Sequence, residues 1–237
     1  MKRGRRGTVI GYVLSFLWLF AMALAGFFVP HFTDNINFFK IKKLYVEGLE
    51  TIPPAVVVEE IKRFKNNWLF INKQGLMSNI NKATGNAVKD LRIHRIFGRD
   101  GVSLSIYVQE RKPFITAIKD NDVIFYDSEG TPFTSPYAQP VNIIYTQDIE
   151  LINKNFNKIK NLIESLGNNI REAYATDLNM IVYTKEGIRL TLPSPFLLNT
   201  TSIKNALSAY KTYNNDMWAR EIEVDTEGIV IVRGSAR

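Results

Sequence analysis

"GVSLSIYVQERKPF", residues 101–114, decides how this chain is divided. Val102, Leu104, Ile106 and Val108 are apolar at every second position, the period that lines one face of a β-strand. The alternation then runs into Glu110, Arg111, Lys112 and Pro113. Proline has no N–H to give a ladder and is confined to edges and strand ends, so the strand must stop here. Glu110, Arg111 and Pro113 therefore read as a joint between two folded parts.

On the amino-terminal side of that joint, "FFKIKKLYVEGLE" reads as a strand closed by Gly48. Pro53 and Pro54 open a helix whose Val57, Ile61 and Phe64 fall on one stripe, and a shorter helix surrounds Leu76 and Ile80. "AVKDLRIHRIF" and "GVSLSIYVQE" are two strands joined by a turn at Gly98-Arg99-Asp100-Gly101. The order β-α-α-β-β over residues 38–112 specifies a small α+β domain with two helices over one face of a three-stranded sheet. The aromatic residues Phe38, Phe39, Tyr45, Trp68 and Phe70 take core positions in this reading.

The carboxyl-terminal side, residues 113–237, reads as a mostly antiparallel β domain with helices. A hairpin covers 122–133 and a strand 141–145. Ile152, Phe156, Ile159, Ile163 and Leu166 repeat at helical spacing up to Gly167, a left-handed stop. A hairpin turns at Lys185-Glu186-Gly187, "SIKNALSAYKTY" is a second amphipathic helix, and "AREIEV" and "GIVIVR" flank Asp225-Thr226-Glu227-Gly228. The last of these strands, Ile229, Val230, Ile231, Val232 and Arg233, has too little chain after it to be paired on its outer side, so it is the candidate partner-binding edge.

The amino terminus carries Lys2, Arg3, Arg5 and Arg6, followed by 22 residues without a formal charge from Thr8 to Val29. At about 1.5 Å per residue such a helix covers the roughly 30 Å of a bilayer core. Residues 1–7 read as a cytoplasmic basic tail and 8–30 as a single transmembrane signal anchor in contact with the lipid bilayer, with the main domains extracytoplasmic. A cleaved signal peptide is the rival, since Ala23-Leu24-Ala25 has the small-x-small form, but Phe27, Phe28 and Val29 keep the run apolar past that site.

Composition limits the chemistry. The chain has 30 Lys and Arg, four of them in the tail, against 23 Asp and Glu, so no nucleic-acid partner is indicated. Without cysteine there are no disulfides, thiol catalysts or thiolate metal sites. His31 and His94 stand far apart, Ser194 lies between two prolines without a G-x-S-x-G around it, and Asp225-Thr-Glu227-Gly228 lacks the ligand series of a cation loop. "NTT" at 199–201 is a glycosylation sequon only in a host that glycosylates. No catalytic, metal, cofactor or small-molecule site is expected.

The ending Val108-Gln-Glu110-Arg111-Lys-Pro113, behind a β-α-α-β-β domain and an anchor, resembles the polypeptide-transport-associated (POTRA) domain of the bacterial cell-division FtsQ/DivIB family. "VIFYDSEGTPF", with Asp127, Gly130 and Phe133, is similar to that family's hairpin, and "EIEVDTEGIVIVR" to its terminal hairpin. The resemblance implies a non-enzymatic bitopic scaffold at the division septum of the bacterial cytoplasmic (inner) membrane, its domains periplasmic in a Gram-negative cell. It also implies partners of the FtsB or DivIC type, joined to FtsL. The alternative from the residues alone is a membrane-anchored extracytoplasmic cell-wall binding module or enzyme with an unrecognised site.

Overall fold

The computed structural model describes residues 5–35, 40–64, 67–98, 101–214 and 219–234, with side chains for all of these except 5–11 and 29–35. Lys2 and Arg3 of the tail, Phe38 and Phe39, and Arg99-Asp100 of the turn lie outside the described residues, as do the side chains of Arg5, Arg6 and His31. The chain divides into two compact units, Met1–Ile80 with Asp90–Gln109, and Asn81–Lys89 with Glu110–Arg237. The second unit is discontinuous: Asn81–Lys89, inside the range read as the first domain, goes with it.

The first unit begins with α1 (Arg5–Asn35). Among the described residues no helix is long and apolar enough to cross a membrane, which overturns the transmembrane anchor at 8–30 and the single-pass inner-membrane localisation built on it.

There follow β1 (Ile41–Glu47), α2 (Pro54–Lys62), α3 (Lys73–Thr84), β2 (Val88–Gly98) and β3 (Gly101–Glu110), with the sheet ordered β1-β3-β2 and β1 parallel to β3. Pro54 occupies the first turn of α2, where a missing N–H costs nothing. Val57, Ile61, Leu76, Ile80, Leu91, Leu104, Ile106 and Val108 are buried. Gly48 has φ 82°, and a Cβ there would stand 2.3 Å from the Val108 carbonyl, so the strand closes on the one residue that fits. The aromatics depart from the core reading: Tyr45 is 48% exposed, Phe70 is exposed and Trp68 half-buried. Tyr45 lies on an edge strand and the other two in the turn after Asn67.

The second unit is one mixed sheet with two helices. Its strands are β4 (Ile115–Lys119), β5 (Asp122–Tyr126), β6 (Pro132–Phe133), β7 (Ile143–Thr146), β8 (Ile170–Ala175), β9 (Asn179–Thr184), β10 (Arg189–Pro193), β11 (Ala219–Val224) and β12 (Val230–Gly234). Their spatial order is β12-β11-β10-β9-β8-β7-β4-β5-β6, and three neighbouring pairs, β10–β11, β4–β7 and β7–β8, are parallel. Helices α4 (Ile149–Leu166) and α5 (Thr200–Tyr213) supply the crossovers of the β7–β8 and β10–β11 pairs, while β4 reaches β7 through β5 and β6.

The apolar stripe of α4, Ile152, Phe156, Ile159, Ile163 and Leu166, packs with Ile203, Ala206 and Tyr210 of α5 against Ile144, Ala173, Val182, Leu190 and Ile222 of the strands. Asp148 caps α4 by accepting from the Glu150 N–H, and Asn199 caps α5 by accepting from the Ser202 N–H. Gly167 ends α4 at positive φ, but with ψ −138° it lies outside the left-handed helical region.

Candidate docking edge

The residues of the joint are structural. Glu110 is buried at the end of β3, and the Arg111 N–H donates to the Ala87 carbonyl at 2.7 Å while its Nε donates to the Asn86 carbonyl at 3.1 Å. One guanidinium nitrogen donates to Asp127 Oδ2 at 2.6 Å, with both side chains largely shielded, 13% and 6% exposed. Asp127 Oδ1 accepts the Glu129 and Thr131 N–H groups at 2.9 Å each. Burial pushes the Asp127 carboxyl upward, but the Thr131 amide, the Arg111 guanidinium and the Glu129 amide outweigh it and hold it below the usual carboxylate range. Three of the roughly four acceptor positions of the carboxylate are thereby taken, and its nearest cation is Arg111. Pro113 is half-buried between β3 and β4 and carries no ladder bond.

The two ends of the large sheet are handled differently. At one end, β6 is two residues long, and Pro132 has no N–H to expose. The loop before β2 covers it: the Thr134 N–H donates to the Gly85 carbonyl at 2.7 Å, and Asn86 Nδ2 donates to the Pro132 carbonyl at 3.3 Å. Gly85 has φ 67°, and a Cβ on it would sit 1.9 Å from the Thr134 carbonyl oxygen, so this cover needs glycine. That edge is closed.

At the other end, β12 pairs with β11 alone among the described residues. The hairpin is antiparallel, with Val230 opposite Val224, Ile231 opposite Glu223, Val232 opposite Ile222 and Arg233 opposite Glu221. The Asp225 N–H donates to the Ile229 carbonyl at 3.2 Å, so hydrogen-bonded pairs recur two residues on, at Glu223/Ile231 and Glu221/Arg233. That alternation turns the N–H and C=O of Val230 and Val232 to the outer side, unpaired. Their side chains pack on the core, whereas Ile229 is 57% and Ile231 47% exposed. An open edge with apolar side chains and free backbone groups is a template for another strand.

Charge guards this edge less than the sequence implies. Arg233 reaches Glu223 at 2.8 Å and Glu221 at 3.7 Å, and Arg189 reaches Glu221 at 3.4 Å. The cation is drawn inward onto the open face of the sheet and is already satisfied there.

The turn feeding β12 is fixed from both sides. Asp225 Oδ1 accepts the Glu227 and Ile229 N–H groups at 2.9 and 2.8 Å, Asn205 Nδ2 donates to the Gly228 carbonyl at 2.7 Å, and Ser202 Oγ donates to the Asp225 carbonyl at 3.0 Å. Asp225 is therefore a turn residue, and no group of three or more metal-ligating side chains occurs among the described residues. The sequon Asn199 is the cap of α5, and its Nδ2 donates to the Thr226 carbonyl. Ser194 is buried, with its hydroxyl accepting the Phe196 N–H, and His94 is exposed on β2. A cavity of about 600 Å³ on α4 and α5, lined by Glu164, Ile203, Lys204 and Leu207 among others, also holds Ser165, whose hydroxyl donates to the Asn161 carbonyl. It assembles no nucleophile with a base.

Sequence reasoning missed the closure of β6, because the loop that supplies it lies 46 positions upstream of Pro132 in the Asn86 contact. It also missed a recurrence it could have found: Asp127-Ser-Glu-Gly130-Thr131, Thr184-Lys-Glu-Gly187-Ile188 and Asp225-Thr-Glu-Gly228-Ile229.

No family model matches the chain. An uncharacterized protein of Aquifex aeolicus (strain VF5) is 25% identical over 170 residues, which cover 71% of this chain and 73% of that one.

Proposed function

We propose that this chain is a non-enzymatic protein-docking scaffold of the division-machinery kind, and that its main docking site is the outer side of β12. The observation that carries the reading is the contrast between the two ends of one sheet: β6 covered by Gly85 and Asn86, β12 left with Val230 and Val232 pointing unpaired backbone outward. A protein that closes one edge and leaves the other open has a use for the open one. The resemblance of Val108–Pro113 and of the two hairpins at Asp127 and Asp225 to the FtsQ/DivIB family supports a partner of the FtsB or DivIC type, itself joined to FtsL. Strand addition would take affinity from the backbone of Val230 and Val232, and specificity from the row Ile229, Ile231 and Arg233.

The test separates backbone from side chain. Val232→Pro removes an outward N–H, and Ile231→Asp puts a charge in the apolar row while leaving every backbone donor in place. Co-purification of the FtsB- or DivIC-type protein from the same source is expected to fall at least about tenfold with either variant, folded by circular dichroism. Undiminished co-purification with a folded variant of each kind overturns the edge as the docking site.

A further inference from the structure

We infer that β12 also pairs with itself: two copies of this chain join β12 to β12, antiparallel, about a two-fold axis between their Ile231 residues, so that a partner strand must displace the second copy. This rests on the reading of β12 as an open docking edge and not on which partner strand it takes. Backbone parity decides the pairings that are allowed. Val230 and Val232 turn their N–H and C=O outward, and in an antiparallel pair the residues that exchange hydrogen bonds stand opposite each other. Val230 of each copy opposite Val232 of the other satisfies every outward group of the four valines. Ile231 then faces its own copy as a non-hydrogen-bonded pair, with Cα atoms about 4.5 Å apart. Centring the pair on Val230 instead sets Val232 against Gly228, whose N–H is already given to the Asp225 carbonyl. Centring it on Val232 brings the two Arg233 backbones to about 8 Å, whereas the Ile231 centre keeps them about 14 Å apart, beyond a Debye length of about 10 Å.

Three further observations favour a second copy as the occupant. Val230-Ile231-Val232 reads alike in both directions, so each copy meets in the other the strand it presents. Opposite residues of an antiparallel pair share a face, so the two Ile231 side chains, each 47% exposed, cover one another, and valine meets valine on the core side. Ile229 stands opposite Arg233 of the other copy, whose charge is drawn away from the seam to Glu223 and Glu221. The closed end of the sheet then sets the limit of growth. Two copies make one continuous sheet that ends in β6 on both sides, and each β6 is covered by Gly85 and Asn86, so pairing stops at two. A seam of four backbone bonds is small beside the roughly 1,200–2,000 Å² of a standard interface. It therefore shields the apolar edge while remaining exchangeable for a partner strand.

The chain has no cysteine, so a single introduced thiol reports the register. Ile231→Cys in the purified full chain at about 100 μM, oxidised with copper phenanthroline, is expected to give at least about tenfold more disulfide dimer than Leu178→Cys. Leu178 serves as the control because it is 86% exposed and lies between β8 and β9, away from the seam. Ile229→Cys and Arg233→Cys are expected to link poorly alone and efficiently when mixed, because each faces the other across the axis. Adding Val232→Pro to Ile231→Cys removes two of the four seam bonds and is expected to lower the yield at least about fivefold. The mixing result is read if the proline variant misfolds. No excess of dimer from Ile231→Cys over the control, or an Ile229→Cys and Arg233→Cys mixture that links no better than either alone, overturns the inference. Such a failure with co-purification of the partner still lost in Val232→Pro leaves the partner reading standing. Excess dimer with co-purification undiminished overturns the partner reading alone.

Discussion

Asp127 shows how one side chain can hold a joint. It accepts two backbone amides on one oxygen and the Arg111 guanidinium on the other, and Arg111 in turn holds the carbonyl of Asn86. Asp127→Asn keeps an acceptor for the amides but leaves a shielded guanidinium without its counter-charge. The expected loss of stability at neutral pH is about 2–3 kcal/mol by urea unfolding. The pH dependence has a definite sign. A carboxyl held low in the folded state contributes stability that is present above its unfolded value of about 4 and is lost as pH falls through the folded value. The gap between wild type and Asp127→Asn is thus expected to narrow below about pH 4, and a gap that stays constant to lower pH would show that Asp127 is not held as a charge.

At the scale of elements, three hairpins use one device. In each, the first residue accepts through its own side chain the N–H four positions on, at 2.9 Å for Asp127, 3.1 Å for Thr184 and 2.8 Å for Asp225, and the glycine adopts φ near 85°. The turn is thereby held by contacts within five consecutive residues. The β6 cover is the opposite case, a contact between distant segments that depends on Gly85. Gly85→Ala sets a Cβ against the Thr134 carbonyl and forces an L residue to positive φ. The expected result is a loss of about 2–4 kcal/mol and, at high concentration, self-association through the freed β6 edge, read by sedimentation. A variant of unchanged stability and mass would show the cover to be dispensable.

For the whole molecule, the second unit is not a continuous piece of chain. A fragment of residues 110–237 lacks the carbonyls of Gly85, Asn86 and Ala87 that take the Thr134 N–H and two groups of Arg111. It is expected to melt roughly 10 °C below a fragment of residues 81–237, since each hydrogen bond left unmade costs about 1 kcal/mol or more. Equal melting temperatures would mean that the unit begins at Glu110 and needs nothing upstream.

The α+β class, the helix stripe of α4, the hairpin turns and the stop at Pro113 were legible in the sequence because each rests on contacts within a few residues: a period of two, a period of 3.6, a glycine at positive φ, a missing N–H. Three things were not. The transmembrane reading of 8–30 came from a run of uncharged residues, and among the described residues no helix is long and apolar enough to bear it out. The aromatics Tyr45, Trp68 and Phe70 looked like core because hydrophobicity does not say which edge or turn a residue will occupy. The sequence did determine that Ile229–Val232 is an apolar run leaving the turn at Asp225–Gly228. That β12 ends the sheet, that Val230 and Val232 point their backbone outward, and that Arg233 is drawn away to Glu221 and Glu223 were decided only by tertiary structure, because strand order and hydrogen-bond parity depend on residues far apart in the chain.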